Sequence, residues 1–395
     1  MIGNNGSYYI IDSTLREGQQ NSLCNLSLQQ KKEFLLLLDL FGIEYAELIN
    51  PNASQNAFDE FQSLINFKKE NNLSIKLIAH IRNHHSDIEK VLQLQMVDGI
   101  SLVISTSSVL IDASHKQTID KIIEDAVNNL KYIKENDNNI EIRFSTEDSF
   151  RTDPNVLSKL FLAIEDYVDR IGIADTIGVA THFDIENTIC LIKNSTSSSL
   201  DIECHFHNDS SSAVYNAYIA LTNGCTHINT SVLGLGERNG ITDLSGLISR
   251  LYTTYPESLK KYNLHILHQL DTFISNCINI PIPINNPITG QCSFHHKAGI
   301  HTNAMNNDRS SYQIINPKDF NLSDSIIVFS SIMGYNSLDT FLKQNCPDIH
   351  QKLTTAYIKK LCSCIKIDIS KNPKLYDSMN NNTDFAINYI LKMVC

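Results

Sequence analysis

No stretch of this 395-residue chain is long and apolar enough to cross a bilayer. The most apolar run, Phe34 to Ile43, spans about half of a membrane helix and is broken by Asp39. Basic runs are missing too: the formal charge is −11, with acidic and basic residues interspersed. A nucleic-acid binder would show a basic balance or patch, so no nucleic-acid partner is expected. The start, Met1-Ile2-Gly3-Asn4-Asn5, has neither a basic flank nor an apolar core, and no secretory leader is expected. The chain lacks the spacing of a P-loop or a dinucleotide fingerprint, and no Ser-His-Asp order is readable. Cys362-Ser363-Cys364 has no partner pair for a structural zinc site. Without the even spacing of a secreted scaffold, the ten cysteines read as reduced packing residues of a cytoplasmic protein. What is present is 42% hydrophobic and 19% charged residues. That is enough to bury a large core and too apolar for disorder.

Short apolar runs alternate with segments of helical spacing from residue 8 to about residue 255. Strands are predicted at Tyr8–Ile11, Tyr45–Ile49, Ile75–His80, Gly99–Ile104, Ile140–Phe144, Arg170–Ile173, Asp201–His205 and His227–Ser231. Helices are predicted at Leu28–Phe41, Ala57–Glu70, Ile88–Met96, Lys116–Lys134, Pro154–Ile164, Phe183–Lys193, Ser211–Thr222 and Leu244–Tyr252. This alternation implies parallel strands with helical crossovers. Eight units of this size match an α/β fold of the (β/α)8 TIM-barrel type, with a doubly wound open sheet as the competing fold. The barrel is expected over 1–275. Pro281, Pro283 and Pro287 exclude an interior helix and mark a linker within 276–320. Residues 321–395 look like a small, mainly helical C-terminal region, and Asn-rich stretches at 136–139 and 380–382 read as loops.

A barrel enzyme should carry its polar chemistry just past the C-terminal ends of its strands. Arg16 and Glu17, His80 and Arg82, Ser105 and Thr106, Arg143, Ser145 and Glu147, and Asp175 and Thr176 all stand there. So do His205, His207, Glu237 and Arg238, which an open sheet's helix-covered core would not tolerate. In His205-Phe206-His207, alternation points both imidazoles toward the axis, where they can share a metal with the Glu17 carboxylate. Two satisfied core histidines are the plainer alternative. Asn208 and Asp209 are placed to support the imidazoles. Arg143 can pair bidentately with a carboxylate, Ser145 adds a hydroxyl, and Glu147 is a candidate general acid or base. An internal salt bridge bracing the barrel is the alternative for these three. The glycine-rich run Gly234 to Gly240 follows the last strand, where a loop can hold a phosphate.

Asp12-Ser13-Thr14-Leu15-Arg16-Glu17-Gly18-Gln19-Gln20 resembles a signature of the acyl-CoA-condensing, metal-dependent TIM barrels, the homocitrate, isopropylmalate and citramalate synthases. His205-Phe206-His207-Asn208-Asp209 and Gly234-Leu235-Gly236-Glu237-Arg238-Asn239-Gly240-Ile241-Thr242 are similar to its other two signatures. The homocitrate branch is the best match, through Arg143 to Arg151, Asp201 to Cys204, Thr289-Gly290 and His296 to His301. The resemblance implies condensation of acetyl-CoA, as co-substrate, with 2-oxoglutarate to homocitrate and free CoA. It implies a divalent ion (Zn, Mn, Mg or Co) on Glu17, His205 and His207. Arg16 would steady developing charge, and Gln20, His80, Arg143, Ser145 and Thr176 would surround the keto acid. Glu147, His301 and Tyr312 would serve acid–base chemistry, the last two from the partner of a homodimer across the 276–320 segment. Departures from the family pattern fall at Gln19, Ser210-Ser211 and Asn303. A further one is Ser101, where lysine-pathway members carry an aspartate linked to lysine inhibition.

Within this class the alternative substrates are oxaloacetate, a phosphonate analogue, 2-oxoisovalerate and pyruvate. Arg143 argues against a branched apolar acid, which would leave a buried guanidinium unpaired. Diacids one methylene apart differ by only about 1–3 kcal/mol, so Arg143 does not separate them. A lyase on the same barrel and a non-catalytic barrel are the readings from other classes.

Overall fold

A computed structural model describes residues 2–3, 6–197, 200–323 and 326–394; of the residues discussed above, Met1, Asn4 and Asn5 lie outside them. The chain divides into two compact units, Met1–Ile282 and Pro283–Cys395. In the first, β1 (Tyr9–Asp12), β2 (Tyr45–Leu48), β3 (Lys76–Arg82) and β4 (Gly99–Ser105) pair in order. They continue through β5 (Glu141–Glu147), β6 (Arg170–Asp175), β7 (Asp201–Phe206) and β8 (His227–Thr230). All neighbours are parallel, and β8 returns to β1 with Tyr9 opposite His227. The sheet is therefore a closed barrel and not the open alternative.

Local chemistry explains the crossovers. Helix α1 (Leu28–Phe41) starts in a capping box, the Ser27 hydroxyl accepting from Gln30 N–H while the Gln30 side chain accepts from Ser27 N–H. It stops at Gly42, whose φ of 100° only glycine adopts cheaply. Its Phe34, Leu35, Leu38 and Phe41 are fully buried, each worth about 1.5–3 kcal/mol. Helix α2 (Ile119–Asn136) begins three residues after its predicted start. Lys116 sits in the left-handed region at φ 52°, and the Thr118 hydroxyl accepts from Lys121 N–H instead. Helix α3 (Leu267–Ile278) closes the unit and runs through residue 275.

On β7 the alternation puts Glu203 and His205 on one face and Ile202, Cys204 and Phe206 on the other. All five are buried, so the polar pair is enclosed by the barrel.

The second unit has its own core of Phe329, Met333, Leu338, Leu342, Ile365 and Ile390. It contains helices α4 (Gly299–Asn307), α5 (Tyr335–Asn345), α6 (Thr355–Lys371), α7 (Pro373–Asn381) and α8 (Thr383–Val394). One sequence expectation fails here. Asn380 and Asn381 were assigned to a loop but end α7. The Asn380 side chain accepts from Phe329 N–H at 2.8 Å and donates to Phe329 O at 3.0 Å, a tertiary use that overrides asparagine's weak helix propensity. No helix among the described residues is long and apolar enough to cross a membrane. The described cysteines are free thiols, with Cys24, Cys204, Cys225, Cys346 and Cys362 buried.

Candidate active site

A cavity of about 270 Å³ is lined by residues at and just past the strands' C-terminal ends. Arg16, Glu17, Gln20, His80, Arg143, Ser145, Glu147, Thr176, His205 and His207 all line it. Those ten candidates come from five different strand ends, and only a closed barrel gathers them. The other two, His301 and Tyr312, lie in the second unit, exposed, with ring centroids 4.0 Å apart.

Glu17, His205 and His207 are buried, and one ligand atom of each lies within 4.8 Å of the other two. His207 Nε2 is 3.9 Å from Glu17 Oε1. The Nδ1 atoms of both imidazoles are buried without a hydrogen-bond partner. Burial, then the charge of Arg16, pushes the His205 pKa well below its usual value. Neutral imidazoles with unpartnered nitrogens beside a carboxylate are the donor set that a divalent ion needs. The residues fit the metal.

Glu17 is held from two sides. Arg16 Nη1 donates to its Oε2 at 2.5 Å, and the Glu237 backbone N–H donates to its Oε1 at 2.9 Å. A Cβ on Gly236 would stand 3.1 Å from Glu17 Cγ, and one on Gly240, at φ 78°, would meet Gly234 O at 1.8 Å. The loop's Glu237 N–H is spent on the Glu17 carboxylate, so the glycine-rich run braces that group. Asn208 and Asp209 likewise support this loop and not the imidazoles directly. Asn208 N–H donates to Gly240 O at 2.9 Å, and Asp209 pairs with Arg238 at 2.9 Å.

Two buried glutamates went unrecognised as organisers. Glu47 Oε2 accepts from Arg16 Nη2 at 2.7 Å, and its Oε1 lies 3.6 Å from His80 Nδ1 and 3.7 Å from Arg143 Nη1. Burial alone would raise its pKa, but the Arg16 guanidinium and His80 outweigh that and hold it well below the carboxylate range. Glu203 lies 2.7 Å from Arg143 Nη2 and 2.9 Å from Arg170 Nε. Arg143 Nη1 also donates to Ser101 Oγ at 2.5 Å, and Ser101 Oγ lies 3.1 Å from His80 Nδ1. Arg143 is salt-bridged, as the bracing reading expects, and it also lines the cavity. The available signal was a lone charge inside an apolar strand, Glu47 in Tyr-Ala-Glu-Leu and Glu203 in Asp-Ile-Glu-Cys. Beyond these, Glu147 accepts a short hydrogen bond from the Ser105 hydroxyl, and the Thr176 hydroxyl accepts from Asp148 N–H at 2.8 Å.

Comparison with known proteins agrees with this geometry. Residues 7–274 match the HMGL-like family, and residues 288–380 match the homocitrate synthase post-HMGL domain-like family. The chain is 40% identical to the mitochondrial homocitrate synthase of Schizosaccharomyces pombe, covering 90% of this chain and 84% of that one. It is 39% identical to the cytosolic isozyme of Saccharomyces cerevisiae, covering 91% and 83%. Identity to the homocitrate synthase of Pyrococcus abyssi is 33%, covering 81% and 85%. Among solved structures, the hydroxymethylglutaryl-CoA lyase of Pseudomonas aeruginosa has the same barrel fold. It has a TM-score of 0.60 at 16% identity, with 71% of this chain and 95% of that one covered. The chain belongs to the HMGL-like family and, within it, to the homocitrate synthases.

Proposed function

We propose that this chain condenses acetyl-CoA with 2-oxoglutarate to form homocitrate and CoA. One observation carries the reading: a buried guanidinium, Arg143, shares a small cavity with a Glu–His–His triad in a barrel of homocitrate synthase ancestry. In the reaction the acetyl methyl loses a proton and its carbon bonds to C2 of the keto acid as the C=O π bond opens to an alkoxide that takes up a proton; water then cleaves the thioester to release CoA. A divalent ion held by Glu17, His205 and His207 would supply Lewis acidity toward the 2-oxo carbonyl. Arg143 takes the distal carboxylate, a charge-assisted pair that a monocarboxylic acid cannot offer. Arg16, fixed by Glu47 and Glu17, stabilises negative charge developing near the triad. Ser145 and Thr176 donate hydroxyls, with His80 and Gln20 closing the pocket around the keto acid. Glu147, oriented by Ser105, moves the proton.

Arg143→Leu is expected to lower kcat/KM at least tenfold more for 2-oxoglutarate than for 2-oxobutyrate, since only the diacid loses an ionic partner. Thiol release measured on both acids checks this, and equal losses would make Arg143 structural alone.

The active form is proposed to be a homodimer in which His301 and Tyr312 of the partner subunit complete each site. The resemblance supports this, as does the exposure of both rings in a stacked pair. Mixing inactive Glu17→Ala and Tyr312→Phe chains should regenerate activity, because one hybrid site is intact. No recovery after proven subunit exchange would count against a shared site. Free thiols at the described cysteines fit a reducing compartment, for which we propose the cytoplasm.

A further inference from the structure

Strand β6 carries Gly172 in its middle, where glycine weakens a strand and leaves a gap. Its backbone does not demand glycine, because its φ lies outside the left-handed region. The reason is space. A Cβ on Gly172 would stand 2.7 Å from Arg143 Nε, 2.7 Å from Ser145 Oγ and 2.8 Å from Arg143 Nη2. The register explains the crowding, since Gly172 lies between Ser145 on β5 and Glu203 on β7. Arg143 Nη2 is the atom that pairs with Glu203, and Arg143 Nη1 the one that donates to Ser101. The guanidinium therefore lies over the hole in β6, pinned at both ends, with its cavity-facing position set by the missing side chain.

We propose that Gly172 is a positioning residue that fixes the Arg143 guanidinium at the depth required by the distal carboxylate, and so sets the preference for a dicarboxylic 2-oxo acid. The inference rests on the reading of Arg143 given above. A methyl group at Gly172 displaces the guanidinium and the Ser145 hydroxyl, because the strand backbone on either side is locked in the barrel and these side-chain ends must give way. A shifted guanidinium still carries its charge but no longer meets the carboxylate at hydrogen-bond distance.

The test is a cycle of Gly172→Ala, Arg143→Leu and the double variant, with kcat and KM measured for 2-oxoglutarate and 2-oxobutyrate. Gly172→Ala should raise KM for 2-oxoglutarate about tenfold or more, the loss of one charge-assisted contact. Its KM for 2-oxobutyrate should stay within about twofold. In the Arg143→Leu background, Gly172→Ala should change the ratio between the two acids no further, because the guanidinium is the group through which it separates them. Selectivity lost in Arg143→Leu but kept in Gly172→Ala overturns the role of Gly172 and leaves Arg143 standing. Equal losses on both acids in Arg143→Leu overturn the reading of Arg143 itself. If Gly172→Ala does not fold, the triple variant with Arg143→Leu and Ser145→Ala, which removes both groups the methyl would meet, should fold; a triple variant that also fails to fold overturns the proposal.

Discussion

His205→Ala should lose bound metal and turnover together. The imidazole is nearly enclosed, its Nδ1 has no protein partner, and it shares a ligand cluster with Glu17 and His207. Alanine leaves two donors, too few to hold a divalent ion against water. Changing residues one layer further out in metal sites typically costs 10–100-fold. Loss of a direct ligand should therefore take thiol release below about one hundredth of the parent. Metal content after dialysis and thiol release from acetyl-CoA are the two readouts, and they should fall in step. A His205→Ala protein that turns over fully in metal-free buffer would make the triad a set of satisfied core residues. Folding should survive, because the neighbours on β7, Cys204 and Phe206, pack on the opposite face.

The parts that alternate or repeat were legible in the sequence. The strand–helix rhythm identified every barrel strand to within a few residues. The polar set at strand ends includes eleven side chains that line one cavity, because a closed parallel barrel leaves them nowhere else to converge. What was not legible depends on distance in three dimensions. Glu47 and Glu203 looked like isolated charges in apolar strands, and their partners are 31 and 60 residues away at Arg16 and Arg143. The glycine-rich run announced a tight backbone, but not that the backbone serves Glu17. Gly172 gave no sign at all, because a missing side chain is informative only once its neighbours are known. The loop expected at Asn380 failed for the same reason: propensity describes the local chain, and Phe329 is 51 positions away.

Glu203→Gln should be the most destabilising conservative change in the barrel, at about 3–5 kcal/mol. The carboxylate is fully buried between two guanidiniums that are themselves only 2–3% exposed. Removing its charge leaves Arg143 with the Ser101 hydroxyl and a distant Glu47, and leaves Arg170 with Glu141 at 3.1 Å and the Tyr45 ring at 4.8 Å. Two cations then share the barrel interior with too little compensating charge, and neither can release its proton. The cost arises from breaking the pair and not from any large net worth of the pair itself. Glu203→Leu combined with Arg170→Met, which removes one charge of each sign, should accordingly recover much of the loss. Urea unfolding of the three proteins measures both effects. A Glu203→Gln midpoint within about 0.5 kcal/mol of the parent would mean that water or rearranged side chains already satisfy these arginines. A double variant no better than the single one would show that Glu203 is needed for its own contacts with Arg143. Because Arg143 is common to this network and to the proposed keto-acid pocket, Glu203→Gln should also weaken 2-oxoglutarate binding. The ion pairs inside the barrel and the specificity at its mouth are therefore one electrostatic unit.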